Sequence, residues 1–214
     1  SSFIIGKDGK IEWIGHPIRI DEPLAAVLDG TWDREAARKK YDEDQVLQQE
    51  MNRIRSALSA AIRANDQTAA MEILDEAIVR FPNNSSFAMQ KFNLLLTRFH
   101  RYKAAYILGN QLVEKNFDNS SVLNSIAWTI ADTEGLEDRD LDLAMKAATQ
   151  ANELTDSKDA PILDTLARVY YEKGDLINAL KWQNLAVKYA GADSMGDSIR
   201  EALERYQKER KVRL

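Results

Sequence analysis

Residues 160–190, APILDTLARVYYEKGDLINALKWQNLAVKYA, decide the fold. Leu163, Leu166, Ala167 and Tyr170 recur every three or four residues, a spacing that lines one face of a helix. Gly174 interrupts the run, and Ala179 and Ala186 resume the helical spacing on a second segment. The stretch predicts a helix, a turn and a second helix.

The same pattern recurs upstream. Ala70, Ala105, Ala144 and Ala179 are separated by 35, 39 and 35 residues, and seven positions later Ala77, Leu112, Ala151 and Ala186 keep the register. The partner segments supply Ile54, Met89, Leu123 and Leu163. They continue with Ala57, Phe92, Ile126 and Leu166, and then Ala61, Leu96, Ile130 and Tyr170. The offset from first to second segment is 16, 16, 21 and 16, so one unit carries five extra residues, in ADTEGLEDRDLD (131–142). Repetition at this period is a signature of stacked helical hairpins.

This lattice resembles the tetratricopeptide repeat. The resemblance implies a mainly α fold, an α-solenoid of about four helix-turn-helix units over residues 46–193. The first unit keeps Pro82 after Ala77, whereas the second departs from the pattern with Asn93 at a normally small position and Gly109 in its second helix. Beyond the repeats, residues 194–214 read as a capping helix with Ile199, Ala202, Leu203 and Tyr206 on one stripe. Ser198 and Glu201 are expected to form its capping box.

The N-terminus is different in kind. SSFIIGKDGKIEWIG alternates apolar residues at Phe3, Ile5, Ile11 and Trp13 around Asp8-Gly9, a hairpin signal because that dipeptide accepts positive φ. No third strand follows, so the hairpin is expected to pack on helices, pair with another molecule, or belong to a larger sheet. DEPLAAVL reads as a short helix with Asp21 as N-cap, Pro23 in the first turn and Gly30 closing it. Residues 32–45 are expected to form a charged helical connector. Hairpin and helix together resemble the final strand, turn, strand and helix of a thioredoxin-like domain of the TlpA-like redoxins. NSIAWTIADTEGLEDRDLDLAMKAATQANEL and KDAPILDTLARVYYEKGDLINAL resemble the helical repeats appended to bacterial redoxins of this type. The resemblance implies that residues 1–31 are an incomplete thioredoxin-like remnant, and it suggests an extracytoplasmic, periplasmic location. In that family a cis-proline precedes the first of these strands and a cysteine motif lies upstream, and neither is in this chain.

Composition narrows the function. The 214 residues are 44% hydrophobic, enough for a sizeable core. Lys and Arg number 29 against 34 Asp and Glu, a net charge of -5, which argues against a wide phosphate-binding face and so against nucleic acid. With no Cys, the chain has no disulfide, thiolate metal site or thiol chemistry of its own. No apolar run approaches the roughly 20 residues of a membrane span, and no signal peptide opens the chain. Ser1 in place of an initiator Met is read as a boundary or a cleavage point.

Few residues invite catalysis. The acidic run Asp132, Glu134, Glu137, Asp138, Asp140 and Asp142 does not reproduce an EF-hand and reads as a solvated loop with charges favouring a helix N-terminus. His16 and His100 are far apart and lack a nearby nucleophile or ligand set, so packing or surface roles are expected. The four tryptophans, Trp13, Trp32, Trp128 and Trp182, read as core or interface area. No cofactor or metal is implied.

The repeat resemblance also implies a concave groove lined by the first helix of each unit. Its positions are Arg55, Ser59, Ile62 and Arg63, then Gln90, Leu94, Thr97 and Arg98. Asn124, Trp128 and Asp132 follow, and then Asp164, Arg168, Tyr171 and Glu172. The Lys and Asn pattern of a carboxylate clamp is not visible. The expected function is protein–protein interaction, with a polypeptide partner held in the groove for a thioredoxin-like redox protein. Two alternatives stand beside it. The chain is the C-terminal part of a thiol-disulfide oxidoreductase or peroxide-reducing redoxin, or it self-associates through the N-terminal hairpin.

Overall fold

A computed structural model describes residues 1–213. The chain is mainly helical, with a small antiparallel sheet of two strands at its N-terminus. It divides into two compact units, residues 1–73 and from residue 74 onward.

In the first unit, β1 (Ser2–Ile5) pairs with β2 (Ile11–Gly15). The loop closes through Gly6 N–H on the Lys10 carbonyl at 2.8 Å, with Gly9 left-handed at φ 75°. This is a three-residue connection rather than a two-residue turn, and glycine suits its one positive-φ position. A register shift follows between Ile4 and Ile5: Ile4 faces Trp13, but Ile5 faces Ile11. The shift corrects the expected four-residue apolar face. The extra residue, Glu12, puts Ile11 and Trp13 on opposite faces, because a bulge reverses the alternation beyond it. Ile4 is buried at 6% exposure, whereas Phe3, Ile5 and Ile11 keep 60%, 57% and 52%.

A 3-10 turn at Pro17–Arg19 leads into α1 (Asp21–Asp29), closed by Gly30 at φ 79°. Asp21 does not cap α1. The 3-10 turn runs directly into the helix, so Ile20 stands at the N-cap in helical conformation with no side-chain bond, and Asp21 lies in the first turn. Pro23 is the buried residue of α1. Then α2 runs unbroken over Arg34–Arg63, capped by Asp33, so the expected connector and the first repeat helix are one helix. Its start is tied to the hairpin. Arg34 pairs with Glu12 and, at 2.9 Å, with Asp8, and Trp32 Nε1 donates to the Glu12 carbonyl at 3.1 Å.

Helix α3 (Gln67–Arg80) crosses from the first unit to the second. The second unit continues with α4 (Ser85–Asn93), which runs into a π-helical turn at Leu94–Arg98, and α5 (Tyr102–Lys115). Then come α6 (Ser120–Asp132), α7 (Leu141–Leu154), α8 (Ala160–Glu172), α9 (Leu176–Tyr189) and α10 (Ser194–Arg213). Successive helices pack as pairs, α4 with α5, α6 with α7 and α8 with α9, and α6 also lies against α8. Their contacts fall where the spacing predicts. Ala105, Ala144, Ala151, Ala179 and Ala186 are fully buried, as are Phe92, Leu96, Leu123, Ile126, Ile130 and Leu163. On α3 Ala70 and Ala77 are buried as well, but on α2 Ala57 is exposed and its neighbour Leu58 takes the core place.

Two local devices repeat along the chain. Asp66, Asn84, Asn119, Asp140, Asp159, Asp175 and Asp193 each accept a bond from a backbone N–H two or three residues on, capping α3 to α10 apart from α5. The turn between α2 and α3 and the turn inside each of the three pairs hold one left-handed residue, Asn65, His100, Gly135 and Gly174 in order. Asp193 also displaces the expected capping box. Because α10 begins at Ser194, Ser198 lies a full turn inside it and donates to the Ser194 carbonyl at 3.1 Å. Gly109 has a packing reason too: a Cβ there would stand 2.9 Å from Leu143 and 3.0 Å from Phe92.

Candidate functional site

The first helices of the second unit, α4, α6 and α8, stand in one row. Thr129 on α6 reaches Asn93 of α4 at 3.5 Å, and Arg168 on α8 pairs with Asp132 of α6 at 3.3 Å. The row carries Gln90, Asn124, Trp128, Asp164, Arg168 and Tyr171.

Along α8 these residues are bound within the protein. Arg168 pairs with Glu172 at 2.9 Å as well as with Asp132, and its guanidinium lies 5.5 Å from the Tyr171 ring centre. Tyr171 donates its hydroxyl to Glu209 of α10 and stacks on Tyr206 with ring centres 4.4 Å apart. That bond, with burial, holds the Tyr171 phenol above its ordinary pKa. Asp164 accepts from Gln183, a fully buried side chain that also donates to the Ile199 carbonyl of α10 at 2.9 Å. Gln183 is thus the pin between α8, α9 and α10, a role the sequence reading missed because nothing in its spacing marks a buried amide.

The middle of the row is more open. Asn124 is half-buried, and its Oδ1 is shielded from solvent with no hydrogen-bond partner among the described residues. A shielded acceptor without a donor is costly. One turn on, Trp128 is 38% exposed, and Gln90 on α4 is exposed. Thr97 is committed to the Asn93 carbonyl at 2.8 Å, inside the π-helical turn. Arg55 and Arg63 are exposed on α2 of the first unit, and Arg98 is exposed at the end of the π-helical turn.

Three of the six carboxylates of the acidic run are taken up by structure. Asp132 holds Arg168, Asp140 caps α7, and Asp142 pairs with Lys173 at 2.6 Å, which keeps its carboxyl below the usual carboxylate range. Arg139 pins the five-residue insertion by donating to the carbonyls of Ile130 and, at 2.6 Å, Thr133, and it pairs with Glu172 at 3.7 Å. Tyr106 donates to the Asp138 carbonyl, and burial pushes its phenol up to about 12. Among the described residues no cluster of His, Cys, Asp and Glu is arranged to hold a metal ion. His16 Nδ1 accepts from Ile18 N–H at 3.3 Å, and His100 Nδ1 lies 3.1 Å from the Tyr102 hydroxyl, so both serve local turns.

Asp164 makes stability depend on pH. Burial is the largest influence on its carboxyl and raises its pKa in the folded state, against the opposing bonds and charges of Gln183, Arg205 and Arg168. The folded protein therefore holds this proton more tightly than the unfolded chain, and the stability it gives is present below the unfolded value and declines as pH rises through the folded one. Asp164→Asn keeps an acceptor for Gln183 Nε2 and offers a donor to Gln183 Oε1, which is buried without a partner. Urea unfolding at pH 7 is expected to show a gain of about 1 kcal/mol, shrinking toward pH 4. A variant equally or less stable than wild type at pH 7 would contradict this.

No family model, curated protein or solved structure matches the chain.

Proposed function

We propose that the chain is a peptide-binding, tetratricopeptide-like α-solenoid of a thioredoxin-like redox protein. On this reading the first helices of the repeats recruit or position a polypeptide partner, and the observation that carries it is the exposed Trp128 ring one turn from the half-buried amide of Asn124. Gln90 and Asn124 supply polar contacts to an extended backbone, and Trp128 supplies apolar area. The α8 end, closed by Tyr171, Tyr206 and Glu209, limits the groove rather than lining it.

The hairpin fits the second half of the reading. Of residues 1–33, only Ile4 and Pro23 are buried, which leaves the outward face of Phe3, Ile5 and Ile11 and the outer edge of a two-stranded sheet unpaired. Such a hairpin suits the end of a larger thioredoxin-like sheet. The cysteine chemistry of that domain would come from residues outside this chain.

Selection from a displayed library of random peptides tests the groove. Selected peptides are expected to change Trp128 fluorescence, and Asn124→Ala or Trp128→Ala is expected to weaken them about tenfold, roughly 1.4 kcal/mol. Peptides that bind the double variant as tightly as wild type, or a selection that yields none, would remove the groove as the site.

A further inference from the structure

From Arg38 to Gln49 of α2 only Tyr41 is even partly buried. Ala36, two residues before this length, and Lys40, Glu43 and Leu47 within it are all exposed and follow one another at intervals of four, three and four. That spacing sets them on one face of the helix, with the charged pair Lys40 and Glu43 between a small and an apolar residue. Its charges are ordered as well: Arg38, Lys39 and Lys40 precede Tyr41, and Asp42, Glu43 and Asp44 follow it.

We propose that this face of α2 pairs with the same face of a second copy, in antiparallel orientation about a two-fold axis between Lys40 and Glu43. In that arrangement Lys40 of each copy meets Glu43 of the other. Ala36 meets Leu47, a small residue against a large one at both ends of the seam. A parallel pair would set Lys40 on Lys40 and Glu43 on Glu43, so the charges select the direction. These groups are not held elsewhere in a way that would compete. The pairs Arg38 with Asp42 and Lys39 with Glu43 along the helix are 4.0 and 3.9 Å long, with every side chain more than 60% exposed, and Lys40 makes no ion pair among the described residues. The inference does not depend on peptide binding or on the hairpin's origin.

Sedimentation equilibrium of the whole chain, from low micromolar to several hundred micromolar, is expected to show a monomer–dimer equilibrium that weakens as salt is added. The charge-reversed variants Lys39→Glu with Lys40→Glu, and Asp42→Lys with Glu43→Lys, are each expected to lose at least tenfold in self-association. Their equimolar mixture is expected to recover it as a heterodimer. All four positions are exposed, and circular dichroism checks that helix content is kept. The chain has no Cys, so orientation is read separately. Ala36→Cys mixed with Leu47→Cys should oxidise mainly to the mixed disulfide rather than to the two like pairs. A monomeric wild type at every concentration overturns the proposal, as does unchanged dimerisation of both charge-reversed variants or failure of their mixture to associate. Loss of the dimer in Phe3→Ser with Ile5→Ser, with the charge variants unaffected, would assign the contact to the hairpin instead.

Discussion

Truncating Tyr206 to alanine is expected to destabilise the second unit by about 3 to 5 kcal/mol, the range for a large buried aromatic cut back to a methyl group. Tyr206 is 1% exposed and shares a cluster with Ala167, Ala179 and Leu180, with Tyr170, Tyr171 and Leu203 packed around it. Removing the ring leaves a cavity between α8, α9 and α10 and strips Tyr171 of its stacking partner. Tyr206→Phe keeps the volume and the stack and is expected to lose far less. Urea unfolding of both variants checks the pair, and an alanine variant as stable as the phenylalanine one would show that α10 is not anchored by this residue.

Phe92→Ala is expected to cost a similar amount, about 3 to 5 kcal/mol. Phe92 is fully buried at the end of α4, where its ring meets the bare backbone of Gly109 on α5. Neither residue can move in to fill the space: glycine has no side chain to offer, and rigid helices collapse poorly. Thermal unfolding is expected to shift down by about 10 °C, taking roughly 2 to 4 °C per kcal/mol for a chain of this size. A shift below about 3 °C would mean that this core relaxes around the loss.

The helical pairs were legible because close helix contacts demand small or apolar side chains at a fixed period, and Ala70, Ala105, Ala144 and Ala179 carry that demand openly. Exchanges between neighbours were not legible. Ala57 and Leu58 are both acceptable on a helix, and only packing decides that Leu58 turns inward. The hairpin face was misread because strict alternation cannot register one inserted residue, Glu12. Ser198 and Glu201 match a capping pattern, yet Asp193 stands five residues earlier and starts the helix first. Of the candidate groove, the spacing placed Asn124 and Trp128 on one helix and Asp164, Arg168 and Tyr171 on another, as they stand on α6 and α8. The withdrawal of Asp164, Arg168 and Tyr171 into contacts with Gln183, Asp132 and Glu209 depends on partners far away in sequence, which spacing does not reveal.

The close approach at Gly109 ties three side chains to one shared volume. Phe92 comes from the second helical pair's first helix, Gly109 from its second, and Leu143 from the pair that follows, and the space a β-carbon at 109 would need is taken by the other two. Growth at 109 is therefore tolerated only with shrinkage at 92 or 143, and effects of substitutions at the three positions should fail to add. In kindred sequences these sites would be expected to drift as a trio: where the glycine is replaced, a smaller residue should appear opposite it, and the unit's irregular look would resolve into a different division of the same space.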